Sequence, residues 1–378
     1  MTRKKIVILL GNMPKKVSDG HSLNTYLLLK NIVEEFDCYI FGHFVETSFL
    51  HNIEELKGKI FKISKNSRLK STLSALLTFQ PFATVEFFNQ KNIIQINKFI
   101  SDNNIDILHS IYFPSTALLA SKLRVSNKIM TVPDLYSKYY KLLFIENKKN
   151  VKFLYNFLSY LFLEFRLQKA FDSVQFVNYK EVDESGFRNA ECVPLLISNH
   201  TENPVLNEER NIVLSRANRS NTLWFLNNIA PKLDSYNIKI LSNDAEVTTT
   251  FERNKQKYSH ISIVNWVDDY DQFVSSFYLQ IVIDRVGTGL SNKIVDAFKK
   301  GYLIIGTELS YRGLKEIPVE IKNVFDEDFE LINVINETMN LSQKEHQNRI
   351  EIAKKYIDSV LNNDEIIEVI KKSYSVQP

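Results

Sequence analysis

The run 285–296, RVGTGLSNKIVD, gathers residue types that can hold a phosphate or diphosphate. Gly287 and Gly289 bracket a tight turn, and a glycine backbone approaches a ligand where a side chain would block it. Ser291 or Asn292 can cap a helix behind the turn. The first turn of that helix presents unpaired N–H groups and the positive end of its dipole. Arg285 ahead of the turn and Lys293 within the first helical turn add two cations. Asp296, about one turn past Lys293, is placed to accept from ribose hydroxyls. The plainer alternative is a tight turn with solvated charges, because a Gly-x-Gly spacing by itself is weakly specific.

Such a turn needs a strand in front of it and a helix behind. Residues 279–283 form a short β-branched apolar run, the pattern of a strand buried on both faces. Ile294, Val295, Ala297 and Phe298 recur at helical spacing, Gly301 ends the helix, and residues 303–305 begin a second buried strand. Strand, glycine turn, helix and strand make a right-handed βαβ crossover.

The first half alternates in the same way. Strands are predicted at 5–10 (ending at Gly11-Asn12), 38–41, 60–63, 105–110, 128–132 (ending at Pro133-Asp134) and 173–177. A helix over 23–36 follows a polar loop that carries Gly20 and His21. Strands separated by helices predict a parallel, doubly wound α/β sheet, whose ligands bind beyond the carboxyl ends of the strands. Gly11, Asn12, His109 and Asp134 therefore share one rim. Asp134, His109 and His21 are the candidates for acid–base work, against the alternatives of a helix cap, a satisfied strand-end histidine and a loop residue. No GxGxxG follows the first strand, which argues against a nicotinamide dinucleotide there.

Two stretches, 73–88 (LSALLTFQPFATVEFF) and 151–165 (VKFLYNFLSYLFLEF), are unusually apolar for helices of an α/β domain. They read either as core or interdomain packing or as a surface that meets a membrane or a lipid-linked substrate. Residues 193–207 lapse into polar loop and are expected to be a linker. The pattern then restarts with strands at 211–215, 238–241 and 261–264, a helix over 221–233 and a short one over 269–277. Further helices close the chain, including 343–362.

The 378 residues suggest two domains, and 44% hydrophobic with 24% charged residues is the composition of a globular protein. A formal net charge of +3 gives no argument for nucleic acid. Cys38 and Cys192 make no disulfide framework, and no Cys/His cluster suggests a metal. The start MTRKK runs into only IVILL, too short an apolar run for a signal peptide, and a cytoplasmic protein is expected.

The run 285–314, RVGTGLSNKIVDAFKKGYLIIGTELSYRGL, is similar to the nucleotide-binding region of bacterial glycosyltransferases of family 4. NIVLSRANRSNTLWFLNNIAPKL resembles the first strand and helix of that family's second domain, and ISIVNWVDDYDQFVSS the segment before its donor site, with Asn265 at a usual Gly. DILHS, TVPDLYS and LLTFQPFATVEFF resemble, in order, its Asp-x-x-His strand, its Asp-bearing loop and its loop and helix around a proline. The resemblance implies a GT-B fold: two Rossmann-like doubly wound domains facing across a cleft. They would span 1–195 (acceptor side) and 196–350 (nucleotide-sugar side), with a C-terminal helix over 351–378 packing back on the first.

It further implies that Arg285, the backbone of Gly287, Thr288, Gly289 and Leu290, and Lys293 hold the donor diphosphate. Asp296 would meet the ribose and Arg216 a phosphate, while Gly11, Asn12 and Gly20 would close over the sugar. The activity implied is retaining, metal-independent hexosyl transfer, without a cofactor, from a nucleotide sugar to a glycan or lipid-linked acceptor. Surface polysaccharide, capsule or glycoconjugate synthesis is the implied setting, at the inner face of a membrane, with peripheral membrane contact and a homodimer among the partners and no nucleic acid. The sequence departs from the family where Thr288 stands at a frequent Glu and Pro133 at a frequent His. The lysine that commonly follows the family's arginine a few residues later is absent after Arg216, with Asn221 or Thr222 nearby. A non-catalytic GT-B partner subunit and a sugar-nucleotide epimerase are the competing readings.

Overall fold

The computed structural model describes residues 3–13, 20–44, 46, 48–111, 113–197, 210–267 and 270–375. It divides into two compact units: Met1–Ser198 with Thr288–Leu290 and Leu361–Pro378, and Asn199–Gly287 with Ser291–Val360.

The first unit is built on β1 (Lys5–Asn12), β2 (Asp37–His43), β3 (Ile60–Lys62), β4 (Ile107–Ser110), β5 (Asn127–Val132), β6 (Ser173–Phe176) and β7 (Ala190–Cys192). Its seven strands run in the order β3-β2-β1-β4-β5-β6-β7, and all pairs are parallel. Ile6, Val7, Ile8, Leu9 and Leu10 of β1 are all at most 1% exposed, which explains why this strand reads as unbroken apolar sequence rather than as alternation. Phe41, Phe87, Met130, Leu163 and Phe176 belong to the core around it. Each such side chain contributes about 1.5–3 kcal/mol by leaving water.

The second unit holds β8 (Asn211–Leu214), β9 (Asn237–Leu241), β10 (Ile261–Val264), β11 (Leu279–Val282), β12 (Leu303–Gly306) and β13 (Asn323–Val324). Its six strands run β10-β9-β8-β11-β12-β13, again all parallel. In each sheet the order reverses once, between β1 and β4 and between β8 and β11. That is the switch point where helices leave to opposite faces and a crevice opens at the strand ends.

The C-terminal helix Asn363–Ser375 counts with the first unit. Asn363 exchanges two hydrogen bonds with the backbone of Ile197, at 3.0 and 2.6 Å. Asn127 Nδ2 donates to Ser373 O at 3.1 Å, and Lys4 Nζ to Tyr374 O at 3.3 Å.

Several elements differ from their sequence reading. The helix expected over 221–233 is α-helical only at Arg219–Trp224. It widens to a π turn at Phe225–Ile229 and ends as a 3₁₀ turn at Ala230–Lys232. Pro231 lacks the N–H that a continuing α-helix needs. The stretch 73–88 agrees with the loop and helix around a proline that its resemblance implied: Arg68–Thr78 stops at Phe79, which is left-handed at φ 50, and Phe82–Val85 begins after Pro81. The final expected helix breaks after Val360. The expected linker lies outside the described residues from 198 onward.

Candidate functional site

At the switch point of the second unit, β8 is followed by Ser215-Arg216, and β11 leads through Asp284-Arg285 into the glycine turn. The two strand ends are adjacent: Ser215 N–H donates to Ile281 O at 3.0 Å. Asn221 is 4% exposed and its Nδ2 donates to Ile283 O at 3.0 Å, which fixes the chain just ahead of the turn. The helix behind it is Asn292–Lys300. Ser291 stands at its N-cap without a side-chain hydrogen bond, and Gly301 closes it in the left-handed conformation at φ 75. Ile294, Val295, Ala297 and Phe298 are at most 2% exposed. This apolar face anchors the helix and leaves its N-terminus, with no side-chain cap and with the positive end of its dipole, at the strand ends.

Asp284, which the sequence reading left unassigned, organises the charges here. Its Oδ2 accepts from Arg312 Nη1 at 2.9 Å, and its Oδ1 lies 3.5 Å from Lys293 Nζ. Its backbone N–H reaches Ser310 Oγ at 3.3 Å, and its carbonyl accepts from Thr307 Oγ1 at 2.5 Å. One carboxylate between two cations leaves a net positive cradle. Arg285 stacks its guanidinium 4.4 Å from the centre of the Trp224 ring, an arrangement that keeps the in-plane N–H donors available. Arg216 is exposed, and its Nη2 reaches Asn243 Oδ1 at 3.3 Å. Asp296 is half-buried, one turn beyond Lys293.

The glycines meet protein rather than open space. A Cβ on Gly287 would lie 2.7 Å from Arg312 Cζ, so the glycine is what lets the guanidinium pack across the turn. Gly289 is left-handed at φ +70, and a Cβ there would lie 2.5 Å from Pro133 O. Thr288–Leu290 belong to the first unit, and their contacts are made there. Thr288 Oγ1 donates to Asp134 Oδ1 at 2.9 Å, Gly289 N–H to Glu181 Oε1 at 2.8 Å, and Asn178 Nδ2 to Gly289 O at 2.9 Å. The Gly289 N–H, expected from the resemblance to meet the diphosphate, is bonded to Glu181 in this structure. Burial, opposed by that N–H and reinforced by the Asp134 charge, pushes the Glu181 carboxyl up to about 7. Its other oxygen is buried without a hydrogen-bond partner. The polar segment NYKEVDE offered no periodic signal that could have singled out Glu181.

On the first unit's rim, Gly11 is left-handed at φ +65 and tight against Ser115, and Asn12 beside it is exposed. Gly20 begins the helix Gly20–Ile32. The His21 side chain lies outside the described residues. Asp134 is not the cap of the helix Tyr136–Glu146, whose N-cap position is Leu135. His109 is corrected from catalytic candidate to structural residue. It is 0% exposed, with Nδ1 2.7 Å from Tyr374 Oη and Nε2 2.8 Å from Thr131 Oγ1. Both ring nitrogens are occupied by protein, and burial holds its pKa down at about 3.

No protein-family model matches the sequence, and no curated protein matches it. Solved structures do match over nearly the whole chain. A glycosyltransferase from Rickettsia africae ESF-5 is 16% identical with a TM-score of 0.63, over 99% of this chain and 98% of that one. HepE of Anabaena, in complex with UDP and glucose, is 11% identical with a TM-score of 0.66, over 99% and 100%. A variant of S. aureus TarM, in complex with fondaparinux, alpha-GlcNAc-glycerol and UDP, is 10% identical with a TM-score of 0.68, over 99% and 100%. What is shared at such identities is the course of the backbone. With its two parallel sheets of seven and six strands, the chain has the GT-B fold of two Rossmann-like units.

Proposed function

We propose that this chain is a retaining glycosyltransferase that moves a sugar from a nucleotide sugar, a UDP-sugar first among them, to a glycan or lipid-linked acceptor. The observation that supports the reading is that the adjacent strands β8 and β11 lead into Arg216 and Arg285, and that the helix behind the turn starts without a side-chain cap and carries Lys293 in its first turn. Solved proteins of the same fold bind UDP and UDP-glucose, which supports that donor class. In this reading Arg285, Lys293 and the N–H groups at the start of the helix hold the diphosphate. Arg216 takes a phosphate, Asp296 the ribose, and Gly11, Asn12 and Gly20 line the sugar.

Transfer breaks the bond from the anomeric carbon to the diphosphate oxygen and forms one to the acceptor oxygen on the same face. The acceptor proton goes to the leaving phosphate. Negative charge grows on that phosphate, and each fixed donor contributes about 3 kcal/mol to the transition state. Asp134, bonded to Thr288, is the carboxylate left to orient the acceptor once His109 is assigned to structure. The second reading, a non-catalytic partner subunit, draws on the same burial of His109 together with Pro133 at the family's histidine position.

Thermal unfolding with UDP, GDP, CMP or ADP, with and without Mg²⁺, tests the proposal, since a ligand of the native state raises the midpoint. One nucleotide should raise it, independently of metal, and Arg285→Ala should abolish the rise. No rise with any nucleotide would sink the donor site. A rise without hydrolysis or transfer of any UDP-sugar would favour the partner subunit.

A further inference from the structure

The helices Arg68–Thr78 and Val151–Leu167 of the first unit carry apolar side chains where a surface helix normally carries charge. On the first, Leu73, Leu76 and Leu77 are 52%, 61% and 85% exposed. On the second, Leu161, Phe162 and Phe165 are 48%, 41% and 70% exposed, while the opposite stripe (Tyr160, Leu163, Leu167) is buried in the core. The helices are joined: Phe79 packs against Tyr155 and Phe162 at 5.5 and 6.1 Å, and Tyr155 Oη donates to Ala75 O at 2.9 Å. The exposed apolar side chains thus lie on two helices joined through Phe79 and Tyr155, and exposed apolar side chains gathered in this way mark an interaction surface.

The charge on the two helices is mainly positive. No Asp or Glu occurs at 68–85 or at 147–163. Glu164 is buried, accepting from Ser137 N–H at 3.1 Å. Of the acids bordering these segments, Glu86 is paired with Lys65 at 3.2 Å, leaving Glu146. Arg68 and Lys70 of the first helix, Lys152 of the second and Lys148 and Lys149 just ahead of it are exposed, and Arg166 lies 5.9 Å over the Phe162 ring. Among the described residues no helix is long and apolar enough to cross a membrane.

We infer that this face docks the chain on an anionic lipid bilayer, with the leucines and phenylalanines in the acyl boundary and the cations among the headgroups. A second copy would set these cations against their like. A lipid surface supplies both the apolar depth and the negative charge. The inference stands independently of the transfer chemistry.

Sedimentation of the full chain with vesicles of phosphatidylcholine, alone or with about 30% phosphatidylglycerol, tests it. Binding is expected only to the anionic vesicles and should weaken as salt is raised. Replacing Lys148, Lys149 and Lys152 together by Gln should weaken it roughly a hundredfold, at roughly fivefold per cation. Leu76→Ser, Leu77→Ser and Phe165→Ser together should weaken it by at least about tenfold with the circular dichroism unchanged. Val319→Ser, an 83% exposed apolar residue of the second unit, should have no effect. Equal binding by the triple Ser variant would overturn the inference. A dimer in solution that the same substitutions dissociate would assign the face to a second copy instead.

Discussion

Replacing Glu181 by Gln is expected to change how stability depends on pH. Glu181 is 1% exposed; one carboxylate oxygen accepts from Gly289 N–H at 2.8 Å, and the other is buried without a hydrogen-bond partner. Burial lifts its pKa from an ordinary 4.5 to about 7. The folded chain therefore takes up a proton that the unfolded chain, between those values, has already lost. Its contribution to stability is complete below about 4.5 and falls away as the pH rises to about 7, a change of about 3 kcal/mol.

Two other groups titrate nearby. Burial pushes Glu164 up to about 7 as well, giving a slope of the same sign. His109, held at about 3, acts oppositely, its penalty growing as the pH falls below about 6.5. The raw profile is thus a composite, and the difference between wild type and Glu181→Gln isolates one proton. The constant cost of the amide offsets that difference without changing its slope with pH. Urea unfolding from about pH 5 to 8, followed by far-ultraviolet circular dichroism, gives it. The variant should gain on wild type by about 1.4 kcal/mol per pH unit in mid-window. A difference that stays flat from pH 5 to 8 would refute the reasoning.

Gly287→Ala places a Cβ 2.7 Å from Arg312 Cζ and should displace that guanidinium from Asp284, costing about 1–3 kcal/mol in urea unfolding and weakening the thermal shift with nucleotide. Asp284→Asn leaves Lys293 and Arg312 without their shared carboxylate; a loss of about 2 kcal/mol is expected, and a loss indistinguishable from zero would show that the pairs contribute nothing. His109→Ala removes the partner of Tyr374 and should speed amide exchange across the helix Asn363–Ser375, at a cost of about 2–4 kcal/mol. The pH profile of any transfer activity between about 6 and 8 should keep its shape in that variant, since His109 stays neutral there.

Local pattern was sufficient for the strands and for the βαβ unit. An apolar run such as β1 must be covered on both faces, and apolar positions at helical spacing followed by Gly301 must end in a left-handed cap. It failed where a local rule met a tertiary one. Residues 221–233 read as one amphipathic helix, yet Pro231 and the packing of Phe225 and Leu226 into the core divide it into three kinds of turn. The glycine turn was legible as a turn. The reason for each glycine was not, because the groups that crowd Gly287 and Gly289 come from elsewhere in the chain.

By itself the sequence determined the alternation of strands and helices, the restart of that pattern, the cations around the glycine turn and the apolar stretches without acids. Only the tertiary structure decided which polar groups were already spoken for. His109 meets Tyr374 across 265 residues, and Gly289 meets Glu181 across 108. Periodicity is a property of neighbours along the chain. Whether a histidine is free to take a proton, or an amide free to bind a phosphate, depends on what packing brings against it, and that is a property of neighbours in space.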